Sequence, residues 1–211
     1  MTMEINILIH GNSEGFNSEF MQFINSGLNK VGKETFGFDF DYIANGTAPS
    51  GGFIEEHLKI KKIISDHVNK GYTKINLIGK SFGGVLCLSE EIVSNVGVSK
   101  IVILGFPYLL GYPTDLSLLK TKPVVGKPNF RDECIRQCKK LGRFLSKVNI
   151  VQGANDLLCD LVKLEELNKL TENAINIIKI DNASHGFKSI NAETTVEQNY
   201  NKVVSAILSV L

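Results

Sequence analysis

The chain has 211 residues, a length that predicts one domain, residues 1–211, with a sizeable buried core. Its 23 basic and 22 acidic residues give a formal net charge of +1, which provides no electrostatic argument for binding nucleic acid or an anionic membrane. The four cysteines show neither a C-x-x-C pair nor a histidine at metal-ligand spacing, so we expect a reduced, cytoplasmic protein without a bound metal.

Six strand-like runs alternate with helix-like patterns along the chain. The runs are residues 5–9, 35–42, 74–78, 100–104, 148–151 and 176–180. Apolar residues recur at helical spacing in residues 60–68 and again in residues 196–211. This alternation predicts an α/β fold with a doubly wound, mostly parallel sheet. The start, MTMEINILIH, lacks the basic residues and long apolar core of a signal peptide, and no run is long enough for a membrane span.

The third strand-like run ends in INLIGKSFGG, residues 75–84. Gly-Lys-Ser also closes phosphate-binding loops, but such a loop needs a glycine at position 74, which is a lysine here. Residues 79–83 match G-x-S-x-G, the nucleophile elbow, in which a sharp turn between a strand and a helix exposes a strained serine. Ser81 is therefore the candidate nucleophile, and the alternative is an ordinary tight turn that holds a serine.

A nucleophilic serine needs a general base, and the base needs an acid that orients it. Asp156 follows the fifth strand-like run and His185 follows the sixth. Ligands collect at the carboxyl ends of the strands in an open parallel sheet, so we expect these side chains to meet Ser81 there. Asp156 could instead cap the helix that follows it. Asp160, which we expect one turn inside that helix, is the second candidate for the acid and ranks below Asp156.

The loop after the first strand, IHGNSEG, can supply an oxyanion hole. The candidate donors are the backbone N–H groups of Asn12 and of Phe82, the residue after the nucleophile. We expect His10 to form hydrogen bonds within this loop. Asp39 and Asp41 alternate with phenylalanines and should share one face of the second strand, in a structural role.

The segment of residues 106–130 contains four of the five prolines and departs most from the regular alternation. Phe106, Tyr108 and Leu109 are candidates for a pocket wall above Ser81, and simple packing is the alternative. Lys80, at the variable position of the elbow, could face the pocket and bind an acidic substrate. It could equally be solvated or hydrogen-bonded locally.

The chain resembles the α/β-hydrolase superfamily, and more narrowly the small predicted hydrolases of the dienelactone-hydrolase-like type. The stretches that carry the resemblance are HGNSEGFNSEFM, FGFDFDYI, IGKSFGG, GFPYLLGYP, VQGANDLL and ASHGFK. The resemblance implies an α/β-hydrolase fold with a minimal cap, a triad of Ser81, His185 and Asp156, an acyl-enzyme and no cofactor. The chain departs from dienelactone hydrolase itself, which has a cysteine at the position of Ser81.

These features predict a serine hydrolase that cleaves a carboxylic ester or related acyl bond of a small or medium substrate. Thioesterase or peptidase chemistry on the same triad is one alternative, because the substrate is chosen by the pocket and not by the triad. A catalytically silent fold that serves as an interaction module is another. The expected partner is a small-molecule substrate, with neither nucleic acid nor a membrane, and the sequence leaves the oligomeric state open.

Overall fold

A computed structural model describes residues 3–107 and 141–211 of the chain. The strands are β1 (Met3–Ile9), β2 (Thr35–Phe38), β3 (Tyr72–Lys80), β4 (Val98–Leu104), β5 (Val148–Gly153) and β6 (Asn176–Ile180). The helices are α1 (Glu19–Lys30), α2 (Asp41–Asn45), α3 (Ile54–Asn69), α4 (Phe82–Leu86), α5 (Glu90–Val93), α6 (Leu161–Leu170) and α7 (Val196–Leu208). Two short 3-10 helices, Gly51–Phe53 and Gly142–Lys147, precede α3 and β5.

The six strands form one parallel sheet in the order β2-β1-β3-β4-β5-β6. The chain moves outward in one direction from β1 to β2 and in the other direction from β3 to β6, so the strand order reverses between β1 and β3. The doubly wound α/β fold is thereby confirmed. Ligands of open α/β sheets bind beside such a reversal, at the carboxyl ends of the strands.

Helices cover both faces of the sheet because side chains alternate between the faces along each strand. Ile7 and Ile9 of β1 join a core that includes Ile60 of α3 and Leu164 of α6. Leu8, between them, points to the other face, where α1 and α7 pack. The buried residues of these two helices include Phe20, Met21, Ile24, Leu28, Tyr200, Val203 and Ile207.

The second strand is shorter than the sequence pattern indicates. It ends at Phe38, whereas the alternation predicted a strand to Tyr42, so the expectation that Asp39 and Asp41 share a strand face is wrong. Asp41 is the first residue of α2, and the carboxylate of Asp39 accepts a hydrogen bond from the backbone N–H of Phe16. Beyond Phe38 the backbone leaves the sheet, and the Phe40 N–H donates to Nε2 of His10 in the loop after β1.

Several predictions fall on residues outside the described ranges. The pocket residues Tyr108 and Leu109 lie there, and the minimal cap stays a prediction. The single-domain and cytoplasmic assignments stay predictions. Within residues 3–107 and 141–211, no helix combines the length and the apolar character that crossing a membrane requires.

Candidate active site

Ser81 lies in the turn between β3 and α4 with backbone angles φ 48° and ψ −113°. A positive φ is uncommon for a residue with a side chain and marks a strained position. The turn is held by hydrogen bonds from the Ser81 N–H to the Leu104 carbonyl, at 2.9 Å, and from the Gly84 N–H to the Ser81 carbonyl, at 3.0 Å. A Cβ at Gly79 would collide with the backbone of Gly84. The G-x-S-x-G pattern therefore has the strand-turn-helix geometry of a nucleophile elbow.

The structure brings Ser81, His185 and Asp156 into one hydrogen-bonded chain. Nε2 of His185 lies 2.9 Å from Oγ of Ser81, and Nδ1 of His185 lies 2.7 Å from Oδ2 of Asp156. An ionised Asp156 requires the proton of a neutral imidazole to sit on Nδ1, which leaves Nε2 to accept the proton of the serine. The order and spacing of the three groups suit general-base activation of a serine.

His185 lies in a short turn after β6. The Phe187 N–H donates to the Ser184 carbonyl at 2.9 Å, which closes the turn around His185. The Phe187 ring is fully buried and stacks on Phe20 of α1 with ring centroids 5.4 Å apart. Packing in the core thus anchors a loop whose histidine side chain is still 23% exposed.

The Asp156 carboxylate is buried and accepts three hydrogen bonds. Besides His185, it binds the Leu158 N–H through Oδ1 at 2.8 Å and the side-chain amide of Gln152 through Oδ2 at 2.7 Å. Asp160, the other candidate acid, caps α6 by accepting from the Lys163 N–H at 2.8 Å. The prediction that Asp160 lies inside the helix is wrong, since it is the residue before the first turn.

Gln152 is a site residue that the sequence analysis missed. It is fully buried near the end of β5, and its side chain binds three partners. Its amide donates to Asp156 at 2.7 Å and to the Cys159 carbonyl at 2.9 Å, while its Oε1 accepts from the Phe106 N–H at 2.7 Å. A glutamine near the end of a buried strand, four residues before the candidate acid, was the available signal.

The first loop orients the peptide bond between Gly11 and Asn12. The Gly11 carbonyl accepts from Nδ1 of His10 at 2.6 Å and from the hydroxyl of Tyr42 at 3.1 Å. In a trans peptide the C=O and the following N–H point in opposite directions, so the Asn12 N–H points away from these two donors. Gly11 and Asn12 both line the cavity beside Ser81. This orientation suits an oxyanion donor.

His10 is held in one tautomer by its two partners. Its Nε2 accepts from the Phe40 N–H at 3.0 Å, so its proton lies on Nδ1 and is donated to Gly11. The ring is fully buried, and this burial lowers the pKa of His10 below its ordinary value of 6.5. The imidazole therefore stays neutral at pH 7, as the hydrogen bond from Phe40 requires.

Tyr42→Phe is expected to lower kcat by up to about 10-fold and to leave KM unchanged. The substitution removes one of the two tethers on the Gly11 carbonyl, and complete loss of an oxyanion donor costs roughly 10²- to 10³-fold in kcat. Steady-state kinetics with 4-nitrophenyl butyrate would measure the change. Tyr72→Phe is the matched control, because the Tyr72 hydroxyl binds Glu34 at the opposite end of the sheet. Equal kcat values for the two variants would contradict the role of the Tyr42 tether.

A cavity of about 870 Å³ opens beside Ser81 and His185. Its wall includes the loop after β1, the start of α1 and Tyr200 of α7. Lys80 lines the cavity, and its Nζ donates to the His185 carbonyl at 2.8 Å. Phe106 is 3% exposed, packs in the core and is not among the residues that line this cavity.

A second pair of serine and histidine lies elsewhere on the molecule. Nε2 of His57 lies 2.6 Å from Oγ of Ser89, and Ser89 caps α5 by accepting from the Ile92 N–H. Neither residue lines the cavity beside Ser81. Within the described residues, no group of three or more His, Cys, Asp or Glu side chains could hold a metal ion.

Solved structures from several organisms share the fold of this chain. A serine hydrolase without lid from Xanthomonas campestris aligns with a TM-score of 0.67 at 14% identity, over 100% of this chain and 84% of that one. A monoacylglycerol lipase of Paleococcus ferrophilus gives 0.65 at 17% identity, over 100% of this chain and 96% of that one. An esterase of Pyrococcus furiosus aligns with a TM-score of 0.64 at 15% identity, over 99% of this chain and 82% of that one.

No curated protein matches the sequence. The family model described as "Alpha/beta hydrolase domain" matches residues 3–211, nearly the whole chain. The narrower resemblance to dienelactone-hydrolase-like proteins stays a prediction. The sheet order, the elbow at Ser81 and this match together show that the chain belongs to the alpha/beta hydrolase family.

Proposed function

We propose that this protein is a serine hydrolase that cleaves a carboxylic ester or a related acyl bond of a small or medium substrate. The observation that carries the proposal is the chain of contacts from Ser81 Oγ to His185 Nε2, at 2.9 Å, and from His185 Nδ1 to Asp156 Oδ2, at 2.7 Å. The family to which the chain belongs and its structural likeness to an esterase and a lipase agree with this chemistry.

The first half of the proposed reaction acylates the enzyme. Ser81 Oγ attacks the carbonyl carbon while its proton passes to Nε2 of His185, and the imidazolium is stabilised by Asp156. The carbonyl oxygen becomes an oxyanion that the N–H groups of Asn12 and Phe82 stabilise. The intermediate then collapses, the bond to the leaving alcohol breaks, and Nε2 returns the proton to the alcohol oxygen.

The second half releases the acid. His185 takes a proton from a water molecule, whose oxygen attacks the acyl carbon of the Ser81 ester. The new tetrahedral intermediate collapses, the bond to Oγ breaks, and Nε2 returns the proton to Ser81. Acid and alcohol are the two products, and no redox step or cofactor is required.

The cavity supports a small or medium substrate. Its volume of about 870 Å³ lies within the usual range of about 300–1,000 Å³ for small-molecule sites. Apolar walls from Phe20, Met21 and Leu158 accompany the polar groups near Ser81. A cavity with apolar walls and a few polar groups near the serine suits an acyl chain better than a charged polymer.

Mixing the protein with 4-nitrophenyl butyrate tests the proposal. We expect a burst of nitrophenol followed by slower steady turnover if deacylation is rate-limiting, because the acyl-enzyme forms in a separate first step. Intact mass spectrometry of an acid-quenched sample should then show one butyryl group, and peptide mapping should place it on Ser81. Parallel assays with a panel of thioesters and a panel of peptides distinguish esterase activity from thioesterase and peptidase activity. A folded protein that forms no acyl-enzyme with any of these substrates would favour the silent interaction module.

A further inference from the structure

Lys80 connects the nucleophile strand to the loop of the general base. It is the last residue of β3 and directly precedes Ser81, and its Nζ donates to the main-chain carbonyl of His185 at 2.8 Å. Among the described residues, no other hydrogen bond reaches this carbonyl. The residues that carry the nucleophile and the base are therefore joined by a contact separate from the triad.

Gly105 makes this contact possible. It follows β4, which lies between β3 and the outer strands, and its φ is +71°. A Cβ at Gly105 would lie 3.0 Å from Lys80 Nζ, 3.0 Å from the His185 carbonyl oxygen and 3.2 Å from His185 Nδ1. Such contacts are tighter than nine in ten real Cβ contacts, so a side chain at this position would require Lys80 or His185 to shift by a few tenths of an ångström.

Among the described residues, the Lys80 ammonium donates its hydrogen bond to the main chain of His185 and not to a carboxylate. No carboxylate of the described residues lies within 4.0 Å of Nζ, so Lys80 forms no ion pair with them. The ring of Phe187, in the same loop as His185, lies 5.6 Å from Nζ. Burial lowers the pKa of Lys80 to about 8, and the charges of Asp156 and Glu14 act in the opposite direction.

We propose that Lys80 is a positioning residue of the triad, whose ammonium holds the main chain of His185 so that the imidazole stays between Ser81 and Asp156. The inference rests on the proposed hydrolase function. A charge-assisted hydrogen bond is about twice as strong as one between neutral groups, and a misplacement of about 1 Å can cost a catalytic step roughly 10²-fold. The sequence left two roles open for Lys80, binding an acidic substrate or a solvated or local hydrogen bond, and in the structure its hydrogen bond goes to the main chain of His185.

The test compares Lys80→Met and Lys80→Arg with the wild type. The first readout is the second-order rate of labelling by a fluorophosphonate, which requires an activated serine but no knowledge of the substrate. We expect Lys80→Met to slow labelling by about 10- to 100-fold, by the misplacement argument above, and Lys80→Arg to restore much of the rate. With 4-nitrophenyl butyrate, kcat should fall in Lys80→Met while KM changes little. Lys74→Met, an exposed lysine of the same strand, is the control.

The pH profile supplies a readout that a merely structural lysine would not change. We expect the wild-type labelling rate to fall as the pH rises through about 8, because Lys80 loses its proton there and its hydrogen bond to His185 weakens. Lys80→Arg should not show this fall, since a guanidinium stays protonated. This comparison decides the proposal even if Lys80→Met fails to fold.

Three results would overturn the inference. One is unchanged labelling and kcat in a folded Lys80→Met protein. Another is an alkaline fall that is the same in the wild type and in Lys80→Arg. The third is a Lys80→Met protein in which only KM for 4-nitrophenyl hemisuccinate rises, while butyrate turnover is unchanged, because Lys80 would then bind a substrate carboxylate. A folded wild type that is not labelled at all would instead contradict the proposed function.

Discussion

Replacing Ser81 by alanine is expected to lower kcat for 4-nitrophenyl butyrate by about 10⁶-fold, the size of loss seen when a serine nucleophile is removed. Ser81 Oγ is the only group of the described residues that lies within hydrogen-bond distance of Nε2 of His185. His185→Ala should cost a similar factor, and the double variant should be no worse than either single one, because residues of a triad act as a unit. Initial rates corrected for spontaneous hydrolysis would measure all three variants.

Ser89→Ala is the matched control for this prediction. Ser89 also contacts a histidine, His57, at 2.6 Å, but it caps α5 and does not line the cavity. Its loss should cost about 1 kcal/mol of stability through the missing helix cap and leave kcat unchanged. The assignment of the nucleophile would be contradicted if Ser81→Ala kept more than a tenth of the wild-type kcat. It would also be contradicted if the kcat of folded Ser89→Ala fell below that level.

Asp156→Asn is expected to lower kcat by roughly 10⁴-fold. Both oxygens of the carboxylate face N–H donors: Leu158 on one side, and Gln152 and His185 on the other. An asparagine must place its NH₂ group against one of these donors. The imidazole would then be driven into the wrong tautomer or lose its orienting partner. Kinetics with the same ester, at a pH where the variant is folded, would measure the loss.

Asp160→Asn tests the alternative acid with the same chemical change. Asp160 caps α6, and asparagine is an equally good capping residue, so we expect activity and stability close to those of the wild type. Loss of kcat in Asp160→Asn together with retention in Asp156→Asn would mean that the acid has been assigned to the wrong carboxylate.

The strands, and the meeting of Ser81, Asp156 and His185 at one edge of the sheet, could be predicted because the signals are local. Apolar runs mark each strand, and parallel strands place the loops after them at one edge of the sheet. The register agrees, since Lys80 pairs with Leu104 and Gly153 pairs with Ile180, so the loops that carry Ser81, Asp156 and His185 start at neighbouring positions. The strand pattern, the motif around Ser81 and the chain order were thus enough to expect these three side chains to meet.

The supporting residues could not be predicted because their contacts join distant parts of the chain. Tyr42 reaches Gly11 across 31 positions, and Lys80 reaches His185 across 105. Phe106 looked like a pocket residue because it follows a strand, yet it packs in the core and its N–H binds Gln152. Neither hydrophobic periodicity nor a short motif indicates which buried polar groups form hydrogen bonds with each other in the folded chain.

Intact-mass analysis after exposure to a fluorophosphonate probe tests the assembled triad most directly. The probe reacts with an activated serine and needs no knowledge of the substrate, so it separates activation of Ser81 from substrate choice. Our account predicts one label on each wild-type molecule and none on folded Ser81→Ala or His185→Ala proteins. No label on a folded wild type, or a label that persists in Ser81→Ala, would contradict it.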